Sequence, residues 1–139
     1  MSLSIRNQIP GTVTSVTAGE SMATVRVRLT GGQDVTAAVT VDAVDELGLA
    51  PGSAVHALVK ATEVALATGP VDGLSIRNRL PGTVRAVSAG AAMATVRVAV
   101  EGAELTASIT KDAVDDLALA EGSTVTALFK STEVSLATV

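Results

Sequence analysis

The stretch LSIRNQIPGTV, residues 3–13, returns almost unchanged as LSIRNRLPGTV at residues 74–84. When residues 3–68 are aligned with residues 74–138, about 41 of about 65 aligned positions are identical, so the chain is a tandem repeat. The copies differ in length by one residue, between TGGQDVT and EGAELT, where a hairpin turn tolerates such a change.

Each copy is predicted to be one module, residues 1–68 and 74–139, and the Gly/Pro segment GPVDG at residues 69–73 is predicted to link them. Within a module most segments indicate strands; MATVRVRL, for example, alternates apolar and polar residues. The period then becomes helical in VDAVDELGL, where acids occupy the first turn and Gly48 is placed as a C-cap. Five or six strands with one short helix between the third and fourth predict a mainly β fold of two tandem OB-like small barrels.

The composition limits what such a protein can do. The chain has 139 residues, 47% of them hydrophobic, with one Phe, no Tyr, no Trp and no Cys. Two small modules without aromatic residues or disulfides are marginally stable alone, which favours an oligomer. A net charge of −4 and the lack of aromatic stacking platforms argue against nucleic acid as a partner. We find no signal peptide and no membrane span, and we expect a soluble, cytoplasmic protein.

Several residues that could carry chemistry are better explained by structure. His56 is the only histidine, its counterpart is Thr126, and a surface strand position is expected for it. Acids near the start of each helix are favoured by the helix dipole, so we interpret them as capping residues and not as a metal site. These acids are Asp42, Asp45, Glu46, Asp112, Asp115 and Asp116. The glycine in each PGT motif is interpreted as part of a turn or bulge, because no P-loop lysine follows it.

One polar cluster recurs unchanged in both copies. Its members are Ser4, Arg6, Asn7, Thr40 and Lys60 in the first copy, and Ser75, Arg77, Asn78, Thr110 and Lys130 in the second. All of these side chains can donate hydrogen bonds, which is what an oxyanion requires of its binding site. A structural alternative remains open, in which the arginine pairs with a carboxylate and the threonine only caps the helix.

The segments LSIRNQIPGTV, AAVTVDAVDELGLAPGS and ALVKATEV resemble the molybdenum-pterin-binding (Mop) module of the molbindins. The same module occurs in molybdate-responsive regulators and at the end of molybdate-importer ATPases. Since both copies carry it, the resemblance covers nearly the whole chain, which looks like a di-Mop molbindin. This resemblance implies modules of the Mop/TOBE type, a trimer of chains with six modules, and molybdate or tungstate bound between modules and on the threefold axis.

Carried over residue by residue, the resemblance implies that the molybdate-binding residues are the recurring polar cluster and the residue after each lysine, Ala61 and Ser131. Family members often carry Ser where this chain has Ala43 and Ala113, so one hydroxyl donor is missing from both copies. The copies also differ at Gln8, which becomes an arginine, and Ala61 lacks the hydroxyl of Ser131. We therefore expect the sites to differ in affinity and not to titrate together.

Reversible binding of molybdate or tungstate for molybdenum storage or homeostasis is the function these observations favour. The oxyanion would be the only ligand, with no organic cofactor, bare metal cation, nucleic acid or membrane. Two other functions stay open: an anion-sensing accessory domain whose partner is on another chain, and a structural or engineered symmetric OB-type assembly. An enzyme is least expected, because no nucleophile, base or metal cluster can be assembled from these residues.

Overall fold

The computed structural model describes residues 2–139 and contains, within them, ten β-strands, two short α-helices and two 3₁₀ turns. The first repeat comprises β1 (Asn7–Ala18), β2 (Met22–Leu29), β3 (Asp34–Thr40), α1 (Val41–Leu47), β4 (Ala54–Val59), a 3₁₀ turn (Ala61–Glu63) and β5 (Ala65–Ala67). The second comprises β6 (Asn78–Ala89), β7 (Met93–Val100), β8 (Ala103–Thr110), α2 (Lys111–Asp116), β9 (Thr124–Phe129), a 3₁₀ turn (Ser131–Glu133) and β10 (Ser135–Thr138). The predicted mainly β fold, with one helix between the third and fourth strands of each repeat, is confirmed.

The two repeats exchange their last strands. One antiparallel sheet has the order β10-β4-β1-β2-β3 and the other has the order β5-β9-β6-β7-β8. Thus Ser135 of the second repeat pairs with Leu58 of the first, and Ala65 of the first pairs with Leu128 of the second. The boundary at residues 69–73 separates two sequence copies, while each sheet is built from both of them.

The core is aliphatic and continuous between the repeats. Burial along β2 alternates at every residue, as its sequence predicts, so that its apolar side chains face inward. One hydrophobic cluster includes buried residues of both sheets, and the single aromatic side chain, Phe129, takes the position that Val59 has in the first repeat. Each fully buried aliphatic side chain contributes about 1.5–3 kcal/mol relative to an exposed one.

The glycine of the PGT motif lies within a strand, so its interpretation as a turn or bulge residue is wrong. Gly11 pairs with both Leu29 and Val55, and the bulge of β1 comes later, between Val13 and Ser15. A Cβ at Gly11 would lie 2.6 Å from Val27 Cγ1, so close packing against β2 is what requires glycine here.

The two helices share an N-cap but differ at the C-terminal end. The hydroxyls of Thr40 and Thr110 each accept a hydrogen bond, at 3.1 Å, from the backbone N–H three residues further on. The predicted C-cap Gly48 has the left-handed conformation, with φ 62°. Ala118, at the same place in the second repeat, is also left-handed, with φ 51°. Within residues 2–139, no helix has both the length and the apolar character to cross a membrane.

The β2–β3 and β7–β8 hairpins meet at their tips. Gln33 Nε2 donates a hydrogen bond to the backbone oxygen of Glu101 at 2.8 Å. The two backbones approach so closely that a Cβ on Gly31 would lie 2.0 Å from this same oxygen. A Cβ on Gly102 would lie 2.9 Å from Gly31 Cα. The tips therefore lock the repeats together at a second place, separate from the exchanged strands.

Candidate functional site

The first candidate site is a cleft of about 440 Å³ between the repeats, called the first cleft below. One wall comes from the first repeat, namely from the segment before β1 and from the 3₁₀ turn after β4, and the other comes from β7 and β8. The lining residues are Ser4, Ile5, Arg6, Lys60, Ala61, Thr62, Thr95, Thr106 and Ser108. Strand exchange creates this cleft, because it carries the chain after Lys60 across to the other sheet.

The second cleft, of about 260 Å³, occupies the equivalent place in the second repeat. It is lined by Ser75, Ile76, Arg77, Lys130, Ser131 and Thr132. The hydroxyl oxygen of Ser131 is buried and, within residues 2–139, has no hydrogen-bond partner. A buried hydroxyl without a partner is unfavourable, so this oxygen is suited to a ligand that enters the cleft.

Two buried asparagines hold the walls of the clefts together. Asn7 is 2% exposed, and its amide donates to the backbone oxygen of Thr106 at 2.9 Å while its oxygen accepts from the Thr106 N–H at 2.8 Å. Asn78 makes the same pair of bonds with Thr36, at 2.9 and 2.8 Å. Neither asparagine is among the lining residues. The structure thus gives both predicted ligands a positioning role, in which each joins the start of one repeat to the third strand of the other.

Among the residues that the structure describes, the cationic side chains of the clefts have no acidic partner. Within residues 2–139 the ion pairs are Arg28–Asp34, Arg97–Glu104 and Lys111–Asp115, all outside the two cleft linings. Arg28, through its hydrogen bond, lowers the pKa of Asp34 below its ordinary value, which shows where this chain does neutralise an arginine. By contrast, each cleft contains one Arg and one Lys, and no carboxylate among the described residues lines it.

Arg6 is held by backbone oxygens and not by a carboxylate. Its Nε donates to the oxygen of Ser4 at 3.1 Å and one terminal nitrogen donates to the oxygen of Leu3 at 3.2 Å. These bonds fix the guanidinium beside the first cleft and leave further N–H groups for a ligand. Within residues 2–139, Arg6 therefore does not form the ion pair with a carboxylate that the sequence left open as an alternative.

The predicted members Thr40 and Thr110 are not brought into the clefts. Both are exposed, cap their helices and are absent from the two linings. The donors to their hydroxyls are the backbone N–H groups of Ala43 and Ala113, so the hydroxyls missing at these alanines belong to the helix starts. For the threonines, the structural alternative describes the observed geometry.

Five hydroxyl residues of the linings were not predicted from the sequence: Thr62, Thr95, Thr106, Ser108 and Thr132. A signal existed for Thr62 and Thr132, since each follows a predicted site residue in the repeated KATEV and KSTEV segments. None existed for the residues of β7 and β8, because only the strand exchange brings them to the first repeat. His56 lies elsewhere, in a partly enclosed pocket with Leu3, Gln8, Leu58 and residues 137–139.

Comparison with known proteins agrees with this architecture. The TOBE domain model matches residues 3–66 and 74–136. The molybdenum-pterin-binding protein MopA of Rhodobacter capsulatus is 42% identical over 139 residues, which are 99% of this chain and 52% of that protein. The molybdenum transport protein ModE of Herbaspirillum seropedicae is 40% identical, with the same 99% and 52% coverage. The chain thus spans about half the length of these relatives.

Shorter relatives match a single repeat. Molybdenum-pterin-binding protein 2 of Clostridium pasteurianum is 38% identical over 66 residues, which are 48% of this chain and 97% of that protein. Among solved structures, a crystal form of the cytoplasmic molybdate-binding protein ModG with molybdate bound superimposes with a TM-score of 0.97, at 39% identity and over 100% of both chains.

The fold and the paired clefts define a tandem of OB-like β-modules with exchanged strands. With a matching model over most of its length, the chain belongs to the TOBE domain family and carries one copy of the domain in each repeat. The resemblance to the di-Mop molbindins, drawn from three short segments, is confirmed by the relatives and by the ModG fold.

Proposed function

We propose that this chain binds molybdate, and tungstate in the same way, in the first cleft between its repeats and in the equivalent second cleft. The observation that carries the proposal is the uncompensated positive charge: within residues 2–139, each cleft has one Arg, one Lys and several hydroxyls but no lining carboxylate. This holds in a chain whose net charge is −4. Molybdate is a tetrahedral dianion with four acceptor oxygens, so a site made only of donors matches its charge and its hydrogen-bonding needs.

The relatives support this ligand, since ModG is a molybdate-binding protein and several others have molybdenum in their names. We infer a role in molybdenum storage or homeostasis in the cytoplasm, by binding without catalysis. Open clefts lined by exposed arginine and lysine side chains suit reversible binding, because the ion keeps contact with solvent and can leave.

We also infer a homotrimer. Met22 and Met93 occupy equivalent positions at the starts of β2 and β7, and they are 47% and 48% exposed. These side chains add apolar surface, while the main support is that small aliphatic modules without disulfides are marginally stable alone, and the resemblance to the molbindins implies three chains. Light scattering should give a mass of about three times 13.8 kDa, and a folded species of 13.8 kDa at micromolar concentration would overturn the inference.

Calorimetry and thermal unfolding test the ligand. Molybdate at about 100 times its Kd should add roughly 2.7 kcal/mol to the free energy of unfolding. The double variant Arg6→Ala with Arg77→Ala should lose most of this gain, as should Lys60→Ala with Lys130→Ala. Arg85→Thr is the matched control, because Arg85 lines neither cleft and the first repeat has threonine at that position. An unaltered chain that shows no heat and no thermal shift with molybdate or tungstate would refute the proposal.

A further inference from the structure

At two small positions near the clefts, the repeats differ in which residue is serine and which is alanine. In the first cleft the residue after the lysine is Ala61, and the wall formed by β8 presents Ser108. In the second repeat the residue after the lysine is Ser131, and the position equivalent to Ser108 is Ala38 of β3. One Ser/Ala pair is therefore reversed between the two repeats.

The pairing of the strands shows that Ser108 and Ala38 also occupy equivalent places in the structure. Ser108 lies opposite Thr95 across β7 and β8, and Ala38 lies opposite Thr24 across β2 and β3. Ser108 also follows Thr106, the residue that Asn7 fixes, by two positions, and so it lies on the same face of β8. Ala38 follows Thr36, which Asn78 fixes, by the same two positions. The asparagine hydrogen bonds therefore hold β8 and β3 in the same position, each relative to the start of the other repeat.

The lining of the first cleft includes both members of the reversed pair, Ala61 and Ser108. In the second cleft, the buried hydroxyl of Ser131 has no partner within residues 2–139, which is what a donor awaiting an acceptor would show. Besides the serine that both linings share, Ser4 or Ser75, each lining thus contains one further serine: Ser108 in the first cleft and Ser131 in the second.

We propose that Ser108 is an oxyanion ligand of the first cleft, where it replaces the hydroxyl absent at Ala61; for the second cleft, the resemblance to the molbindins already implies Ser131 as the corresponding ligand. This rests on the proposed function, because it assigns individual donors within the same clefts. The hydroxyl of each serine donates to an oxygen of the bound dianion, a charge-assisted bond that is stronger than one to a neutral acceptor. Affinity is preserved, while the direction of approach to the ion differs between the clefts.

The test separates the clefts by disabling one at a time. In an Arg77→Ala background only the first cleft keeps its arginine, and Ser108→Ala should weaken molybdate binding about tenfold in calorimetry while Ser131→Ala changes little. In an Arg6→Ala background the roles should reverse. Ser135→Ala is the matched control, since Ser135 is outside both clefts and its counterpart is Ala65.

A relocation experiment distinguishes a ligand from a residue that only shapes the wall. Adding Ala61→Ser to Ser108→Ala gives the first cleft the arrangement of the second, and it should restore most of the lost affinity. Full molybdate affinity in Ser108→Ala, with the Arg77→Ala background still binding, would overturn this inference and leave the proposed function intact. If the unaltered chain binds no molybdate, both fall. Unchanged unfolding midpoints would show that these small substitutions leave the fold intact.

Discussion

The two repeats differ in how they secure the segment that precedes their first strand. In the first repeat, Gln8 donates one hydrogen bond, to the backbone oxygen of Ile5 at 3.0 Å. In the second, Arg79 donates to three backbone oxygens: those of Ile76 at 2.9 Å, Val71 at 2.8 Å and Leu74. Arg79 thereby ties the connection between the repeats to the start of β6. Arg79 does not line the second cleft, and its hydrogen bonds in this structure secure the linker.

The largest expected effect tests a feature in which the repeats agree. Asn7→Ala removes two hydrogen bonds and leaves the backbone N–H and oxygen of Thr106 without a partner in the interior. We expect a loss of about 3–5 kcal/mol in the free energy of unfolding, and the same loss for Asn78→Ala. Urea unfolding measures both. A loss below about 1 kcal/mol in either variant would mean that the asparagine does not hold the walls together.

The next prediction concerns the contact between the two hairpin tips. It compares Gly31 and Gly32, the adjacent glycines of the β2–β3 tip. A Cβ at Gly31 would meet the backbone oxygen of Glu101, whereas Gly32 has open space around it and needs glycine only for its φ of 97°. Gly31→Ala should therefore cost about 2–4 kcal/mol, and Gly32→Ala only about 1 kcal/mol. Thermal unfolding of the two variants compares them directly, and equal losses would show that the tips do not need to meet.

A smaller effect addresses the linker. Arg79→Gln gives the second repeat the residue of the first, and it should cost about 1–2 kcal/mol because two of the three backbone oxygens lose their donor. Gln8→Arg is the reciprocal control and should change stability by less than about 0.5 kcal/mol. Amide exchange in residues 71–76 should rise in Arg79→Gln. Unchanged exchange there would show that Arg79 does not stabilise the linker.

The smallest effect concerns the helix ends. Ala118 is left-handed where the first repeat has Gly48, and this conformation costs a residue with a Cβ about 1 kcal/mol. Ala118→Gly should then raise stability by about 0.5–1 kcal/mol, and Gly48→Ala should lower it by a similar amount. Opposite shifts in the unfolding midpoint are the expected result; shifts of the same sign would contradict it.

Much of the fold could be predicted because it depends on local pattern. The alternation along β2 and the helix caps Thr40 and Gly48 depend only on residues nearby in the sequence. The structure has them as the sequence indicates. The strand exchange could not be predicted from residue types. The segments EVALAT and EVSLAT are nearly the same, so pairing with β4 or with β9 buries nearly the same side chains. Which sheet the last strand joins is decided by the path of the chain after Lys60 and Lys130.

The candidate site was predicted in part for a related reason. Arg6 and Lys60 line the first cleft as their chemistry suggested, and their counterparts line the second. Asn7 has the same hydrogen-bonding groups as a ligand donor, and only its burial against β8 reveals a positioning role. Ser108 follows no motif at all, since its place in a cleft depends on two segments about fifty residues apart that meet through the exchange.

The exchanged strands have a consequence for how the protein assembles. A polypeptide with a single repeat that exchanged its last strand in the same way would have to meet a second molecule to do so, and its folding rate would then depend on concentration. In this chain the segment at residues 69–73 keeps the second copy close at hand. The effective concentration of the missing strand is then set by a short tether, on the order of millimolar. Tandem duplication has in this way converted a bimolecular assembly step into an intramolecular one.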